Sequence, residues 1–531
     1  IAQKTLVFPL AGVSRREGYR KQEPPYVTPW AINVRGECQI ERRKRGGSRP
    51  GLAKVIQDNF GTITAISPIS YVNSDGEMKR DLIVIGSGTI YTISEGAVTE
   101  GGAELLWCDG VPILWEDGEG IVFSSSLDET SSVGHSIAFD FAERNGKLFI
   151  ADSVLREIDP QTGVIEDVQA SAGAIPSGCP LVCLYRDRIF LAGSGPVWYA
   201  SRQGDPYDWN FGGDIGDPGR AVAGQVERAG RISDQITAMI PRGDRALVIA
   251  TADEMWVMRG EPTTGSLIPV SGGVGIVSPM AWALAPDGTA IFLSRDGLYM
   301  MSAGSTEHPV RWSEERLPDE LREVDPDGKA ISITYDGVGR GFHLFITPAS
   351  GTGSHWWLDY ERKAVWPVSL VDGHQPTAAV TYRADGLAEA IIGCKDGYIR
   401  KFDNDADDDD GSPLPSHVIL GPFSTATGDI SDAILAEIHG IMADASGPVK
   451  WRVVMGKSAE ETADAAVAGI LAEMVGEPIG AAYPEGIWGQ GRNLVSRPRA
   501  RGPWAAVWVS SSARWAFEAV ALRIHQLGRL R

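Results

Sequence analysis

The chain has 531 residues, 43% hydrophobic and 22% charged, with 63 Gly, 32 Pro and 16 Trp. That length holds two or three domains with cores of their own, and the balance is that of a globular protein built from many short strands and turns. No apolar run approaches the roughly 20 residues of a membrane-spanning helix, so membrane insertion is not expected. The net charge of −20 is unevenly spread. Residues 1–52 carry 11 Lys and Arg against 4 Asp and Glu, residues 412–531 carry 11 against 11, and the remainder stands at −27.

The first twenty residues, "IAQKTLVFPLAGVSRREGYR", lack the charged lead, apolar centre and small-residue cleavage site of a signal peptide. The five cysteines (Cys38, Cys108, Cys179, Cys183 and Cys394) are odd in number and scattered. They read as buried thiols of a protein folded in a reducing cytoplasm. Two features mark residues 1–52 as a docking arm. "QEPPYVTPWAINV" places Tyr26 and Trp30 among three prolines, and extended proline-rich segments with aromatics tend to dock. "IERRKRGGSRPGL" then supplies Arg42, Arg43, Lys44, Arg45 and Arg49, a cluster suited to phosphates or an acidic protein surface.

From residue 53 one pattern recurs seven times. An apolar run leads to a Gly/Ser/Asp pause and then a second strand, usually with Tyr or Trp. The copies are "DLIVIGSGTIYTIS" (81–94), "GKLFIADSVLREIDPQTG" (146–163), "DRIFLAGSGPVWYAS" (187–201), "RALVIATADEMWVMRG" (245–260), "TAIFLSRDGLYMMSAG" (289–304), "GFHLFITPASGTGSHWWLDY" (341–360) and "EAIIGCKDGYIRKFD" (389–403). Each reads as an antiparallel hairpin, and Asp-Gly in two of them is a tight-turn signal. Aligned on Tyr91, Arg156, Trp198, Trp256, Tyr299, Trp357 and Tyr398, the copies step by 41 to 65 residues. A propeller blade repeats every ~40–50 residues, so the longer steps imply inserted loops. The fold expected is all-β: a propeller of about seven blades over 53–403, followed by a further, mostly β domain.

Next comes "DNDADDDDG" (403–411), which begins like a calcium loop but has Asp408 where the turn needs Gly and Leu414 where a bidentate Glu belongs. Residues 404–411 are therefore expected to form a solvated, self-repelling linker. Residues 412–531 alternate apolar and polar positions like half-buried strands around one helix, "SAEETADAAVAGILAEM". Ser458 is its N-cap, with Glu461 three residues on.

Motifs for chemistry do not assemble. "MGKS" (455–458) has Trp451 where a phosphate loop needs Gly. "GHSIA" (134–138) is one residue short of a nucleophile elbow and runs on into β rather than helix. The eight histidines lack metal-ligand spacing, and adjacent carboxylates such as Glu314 and Glu315 read as solvated surface. No enzyme, cofactor or metal is expected.

Taken together, residues 24–52 ("PPYVTPWAINVRGECQIERRKRGGSRPGL"), 197–211 ("VWYASRQGDPYDWNF"), 236–260 and 272–300 resemble the tail-nozzle proteins of short-tailed bacteriophages. These are also called tail tubular protein B or packaged-DNA stabilisation proteins. The resemblance spans most of the chain through diffuse motifs, and the C-terminal domain is similar only in general strand pattern. It implies a structural virion protein of the tail, made in the host cytoplasm, with six copies in a ring below the portal and adaptor. The genome would be retained and then pass through the ring during ejection. Adaptor and other tail proteins would be the partners, met through the arm and the C-terminal domain. The charge split suits this: a −27 module repels DNA rather than gripping it. The Gly-rich segment 212–234 lengthens a blade step, and its Asp214, Asp217, Arg220, Glu227 and Asp234 are candidates for a channel loop. The alternatives are a ligand-binding propeller recognising carbohydrate or protein, with Trp356 and Trp357 as stacking aromatics, a hub protein of a longer-tailed phage, or a propeller lyase or glycosidase.

Overall fold

The computed structural model describes all residues except 1, 15–25, 41–42, 95–96, 101, 105–121, 125–139, 153, 161–163, 229–230, 313–317, 384–385, 426–430, 480–482 and 530–531. Seven four-stranded antiparallel sheets follow one another along the chain and form the blades of a β-propeller. The seven hairpins expected from the sequence are the second and third strands of successive blades. They run from Met78–Gly86 with Thr89–Ser94 in blade 1 to Glu389–Cys394 with Ile399–Asp403 in blade 7. The second strands read as unbroken apolar runs because neighbouring blades cover both of their faces. Leu247–Thr251 and Ala290–Ser294 are buried at every position.

The first strands sit innermost, and those of consecutive blades, blades 4 and 5 apart, are neighbours. That of blade 7, Pro376–Tyr382, lies beside that of blade 1, Ile63–Val72, where Thr377 Oγ1 donates to the Ile63 carbonyl at 2.6 Å. Blades 4 and 5 meet through a shared core that includes Val248, Val257, Ile291 and Leu298. The wheel is therefore closed, and strand pairing locks it. The fourth strand of blade 7 is Gly51–Lys54, which enters before blade 1 and pairs with Ile399–Asp403. The wheel thus begins at Gly51, two residues before the boundary expected.

Apart from short two-stranded pairs, the remaining strands form two packed five-stranded sheets. One has the order Ala2–Leu6, Phe517–Arg529, Ser431–Met442, Gly491–Arg492, with Ala500–Arg501 also on Ser431–Met442. The other has the order Ala31–Ile32, Ser416–Ser424, Trp504–Ser511, Val449–Gly456, Glu485–Trp488. Leu435, Ile438 and Leu522 from the first face Leu420, Val453 and Val507 from the second. The helix Ala459–Met474 covers the other face of the second sheet, packing Ala466, Val467 and Ile470 on Ile419, Val454 and Trp508. Its N-terminus is capped as expected: Glu461 N–H donates to Ser458 Oγ at 3.1 Å.

Two expectations are corrected here. Residues 1–52 are not a free arm, because their strands complete the sandwich and the wheel. Their apolar residues join one core that spans both units, where Phe8 packs against Trp366, Trp515 and Phe517 at centroid distances of 5.7, 6.4 and 6.1 Å. At roughly 1.5–3 kcal/mol per large side chain removed from water, this core fastens the sandwich to the propeller. Residues 404–411 are exposed at Asp405, Asp407 and Asp408, as a solvated linker would be, but they do not stand as an unpaired run of like charge. Asp409 is buried on Arg49, and Asp410 pairs with Arg400 at 2.9 Å, so basic partners from elsewhere in the chain relieve the self-repulsion counted from sequence.

Candidate functional site

The N-terminal segment crosses from sandwich to wheel through two buried arginines. Arg49 is 0% exposed and uses all five N–H donors. Nη1 and Nη2 donate to Asp409 at 2.9 and 2.6 Å, Nε to Asn33 Oδ1 at 2.9 Å, and the Pro50 and Ser369 carbonyls take the rest. Arg35 lies over the Trp357 ring at 3.9 Å, and its Nη2 is 3.4 Å from His343 Nε2. Burial pulls its pKa down to about 9, still protonated at neutral pH.

The expected docking cations are therefore mostly committed within the chain. Lys44 pairs with Glu361 of blade 6 at 2.7 Å, Arg45 pairs with Glu518 of the sandwich, and Arg49 is sealed inside. Arg49 cannot meet a partner, a correction whose cause is the bidentate pair with Asp409. Arg43 is exposed, and Arg42 lies outside the described residues, as do residues 134–138, Glu314 and Glu315.

Tyr26 and Trp30 are half-buried, and Trp30 borders a groove of about 450 Å³. Thr28 Oγ1, 2.9 Å from both the Trp30 and Ile419 carbonyls, anchors this stretch to the sandwich, and Trp30 meets the His417 ring edge-on at 6.2 Å. Val467 and Leu471 of the helix form the opposite wall, with Trp356 of blade 6 and Pro318 of the blade 5–6 crossover between. Trp356 and Trp357 are only 6% and 3% exposed, so neither is the free stacking platform considered from sequence. The border is acidic: Asp319 and Glu320 of that crossover line the groove, and Glu323, Asp325 and Asp327 are exposed farther along the same segment, with Arg322 and Lys329 as the interspersed cations.

Sequence reasoning missed this groove. One signal was present, an apolar stripe at Leu471, Met474 and Val475, three and four residues apart along and just past the helix; they are 49, 41 and 70% exposed.

The candidate channel loop is placed elsewhere. Residues 212–221 join the third and fourth strands of blade 3, away from the innermost strands. Asp214 Oδ1 accepts from Gly216 N–H, Asp217 pairs with Arg202 at 2.7 Å, and Arg188 donates to the Arg220 carbonyl. Glu227 lies on the short strand Glu227–Arg228, and Asp234 is exposed before blade 4. Among the described residues, no three His, Cys, Asp or Glu side chains gather as a metal site.

No protein-family model and no curated protein matches the sequence. Among solved structures, the chain is similar to U3-55K at 11% identity, over 66% of this chain and 99% of that one, with a TM-score of 0.37. It is similar to the WD40 β-propeller domain of Doa1 at 10% identity, over 67% and 96%, with a TM-score of 0.37. It is also similar to YCF48 from Cyanidioschyzon merolae at 12% identity, over 66% and 98%, with a TM-score of 0.39. Likeness of this degree concerns the fold alone, and the seven four-stranded sheets carry the assignment themselves: the chain is a β-propeller with a β-sandwich fastened to it.

Proposed function

We propose that the chain is a non-catalytic β-propeller that works by protein recognition, as a rigid subunit of a larger assembly. The observation that carries this reading is the groove beside Trp30: apolar walls from three parts of the fold and an acidic rim, the makeup of a protein-docking surface. The experiment is sedimentation of the chain alone and with the proteins encoded beside it, run next to a glycan array and a polysaccharide turnover panel. Complexes with protein and silence on sugars are expected; a bound sugar or turnover overturns the reading.

A second, finer reading is the tail nozzle of a short-tailed phage. The resemblance of residues 24–52 and of the blades supports it, as does the −27 balance of residues 53–411, which suits a wall that DNA slides past. In this reading six copies ring the channel below portal and adaptor. Electron microscopy of the tail tests it: a ring of propellers under the adaptor is expected, and a tail without this chain ends it.

A further inference from the structure

We propose that the arginine-rich face of the sandwich of one copy docks into the acid-rimmed groove of a second copy, so that the chain assembles head to tail. The inference rests on the reading of the chain as an assembly subunit and names its partner as the chain itself.

The sum of zero over residues 412–531 conceals a segregation. Residues 492–531 contain eight Arg, no Lys and one acid, Glu518. The fold gathers four of these arginines on the outer face of one sheet. Leu435, Ile438, Leu522 and Ile524 point into the sandwich. The alternate positions, and those registered opposite them, therefore point out: Arg523 opposite Glu437, Arg501 opposite Ile434, and Arg492 opposite Ile441. Arg497 joins them, 3.8 Å from Glu437, the acid that also meets Arg523 at 2.9 Å. Between Gly491–Arg492 and Ala500–Arg501 the chain projects Leu494, 92% exposed, and Val495, 46% exposed. An apolar knob inside an arginine collar contributes nothing to this copy's core.

The groove is the converse shape, with apolar walls at Trp30, Val467 and Leu471 and the carboxylates of Asp319 and Glu320 on its border. Arginine's fork matches carboxylates two bonds at a time, which fits the absence of lysine on the opposing face. The helix bordering the groove covers the outer face of one sheet, and the arginines lie on the outer face of the other. Knob and groove thus sit on opposite sides of the sandwich and meet only between copies. Such a heterologous contact closes into a ring or runs on as a filament. A nucleic acid suits the face less well, because phosphates leave Leu494 and Val495 unburied and Glu437 stands among the arginines.

Sedimentation velocity of the full chain, across protein concentration and at low and high salt, tests the proposal. Wild type is expected to self-associate, and more weakly at high salt. Arg492→Glu/Arg497→Glu and Asp319→Lys/Glu320→Lys, all at exposed positions, are each expected to weaken self-association about tenfold or more with unchanged circular dichroism. An equimolar mixture of the two variants restores it, because each reversed surface then meets its complement. A wild type that stays monomeric, single variants that assemble as wild type does, or a mixture without recovery overturns the proposal. So does a monomer whose arginine face instead binds duplex DNA. If the wild type is monomeric yet sediments with a neighbouring gene's product, self-docking falls while protein recognition stands.

Discussion

Arg49 and Asp409, 360 positions apart, form a bidentate pair at 2.9 and 2.6 Å that is almost wholly out of water. The pair ties the incoming N-terminal segment to the chain leaving blade 7. The remaining bonds of Arg49 reach Asn33, Pro50 and Ser369. Breaking a buried pair by removing one partner leaves a charge with neither water nor counter-charge. Asp409→Ala or Arg49→Ala is therefore expected to cost about 3–5 kcal/mol. Thermal unfolding checks this, and the double variant Arg49→Met/Asp409→Leu is expected to recover much of the loss. Equal losses in single and double variants would assign the effect to packing rather than charge.

Closure of the wheel depends on the strand Gly51–Lys54, and Gly51 allows it by bulk alone. A Cβ at that position would lie 2.1 Å from the Asp408 carbonyl oxygen and 2.8 Å from that of Ala406. Backbone at this distance cannot step aside without moving the segment that Arg49 holds. Gly51→Val is expected to cost at least about 2–3 kcal/mol, at the upper end of overpacking. Hydrogen exchange is expected to rise first in Ile399–Asp403, the strand left without its neighbour. Uniform acceleration over all blades would instead show that the closure is not the weak point.

The hairpins were legible because their signal is local: a second strand buried on both faces is apolar throughout, and its partner follows within a few residues. Even so, the Asp296–Gly297 pair is not the centre of its turn. Ser294 registers with Gly297, so Arg295 and Asp296 occupy the turn and Gly297 follows at φ +136°. Illegible were pairings across hundreds of residues, such as Ala2–Leu6 with Phe517–Arg529. Charge counted by segment misled for the same reason. Asp409 looks solvated until Arg49 is placed beside it, and the neutral tail hides opposite faces. The groove beside Trp30 is built from three distant stretches, so no one of them announces it.

The helix of the sandwich was readable down to its cap, and the cap yields a graded prediction. Ser458 Oγ accepts from Glu461 N–H, and Glu461 Oε2 accepts from Lys457 N–H at 2.9 Å. The hydroxyl that a phosphate-loop reading of 455–458 would assign to a metal is thus occupied in starting a helix. Ser458→Ala is expected to cost about 1 kcal/mol and Ser458→Asp close to nothing. Urea denaturation followed at the helix signal decides, and equal losses for both would show that the hydroxyl is not acting as a cap.

Three histidines near the junction of wheel and sandwich set how the protein responds to acid. Desolvation pulls His343 and His417 down to about 4 and His355 to about 3. His417 Nδ1 accepts from Trp508 Nε1 at 3.4 Å, while both ring nitrogens of His355 are buried without a partner. These groups stay neutral in the folded chain and titrate near 6.5 once unfolded. Below pH 6.5 the unfolded state therefore binds protons that the folded state refuses. Their stabilising share is complete above about 6.5 and is lost as pH falls toward 4, and toward 3 for His355. Acidification is thus expected to loosen blade 6 and the sandwich, read as a red shift of tryptophan emission. His355→Leu removes two unsatisfied polar atoms and one proton acceptor of the unfolded state. It is expected to lower the midpoint of that transition by about half a pH unit. A midpoint that does not move would assign acid sensitivity to groups other than His355.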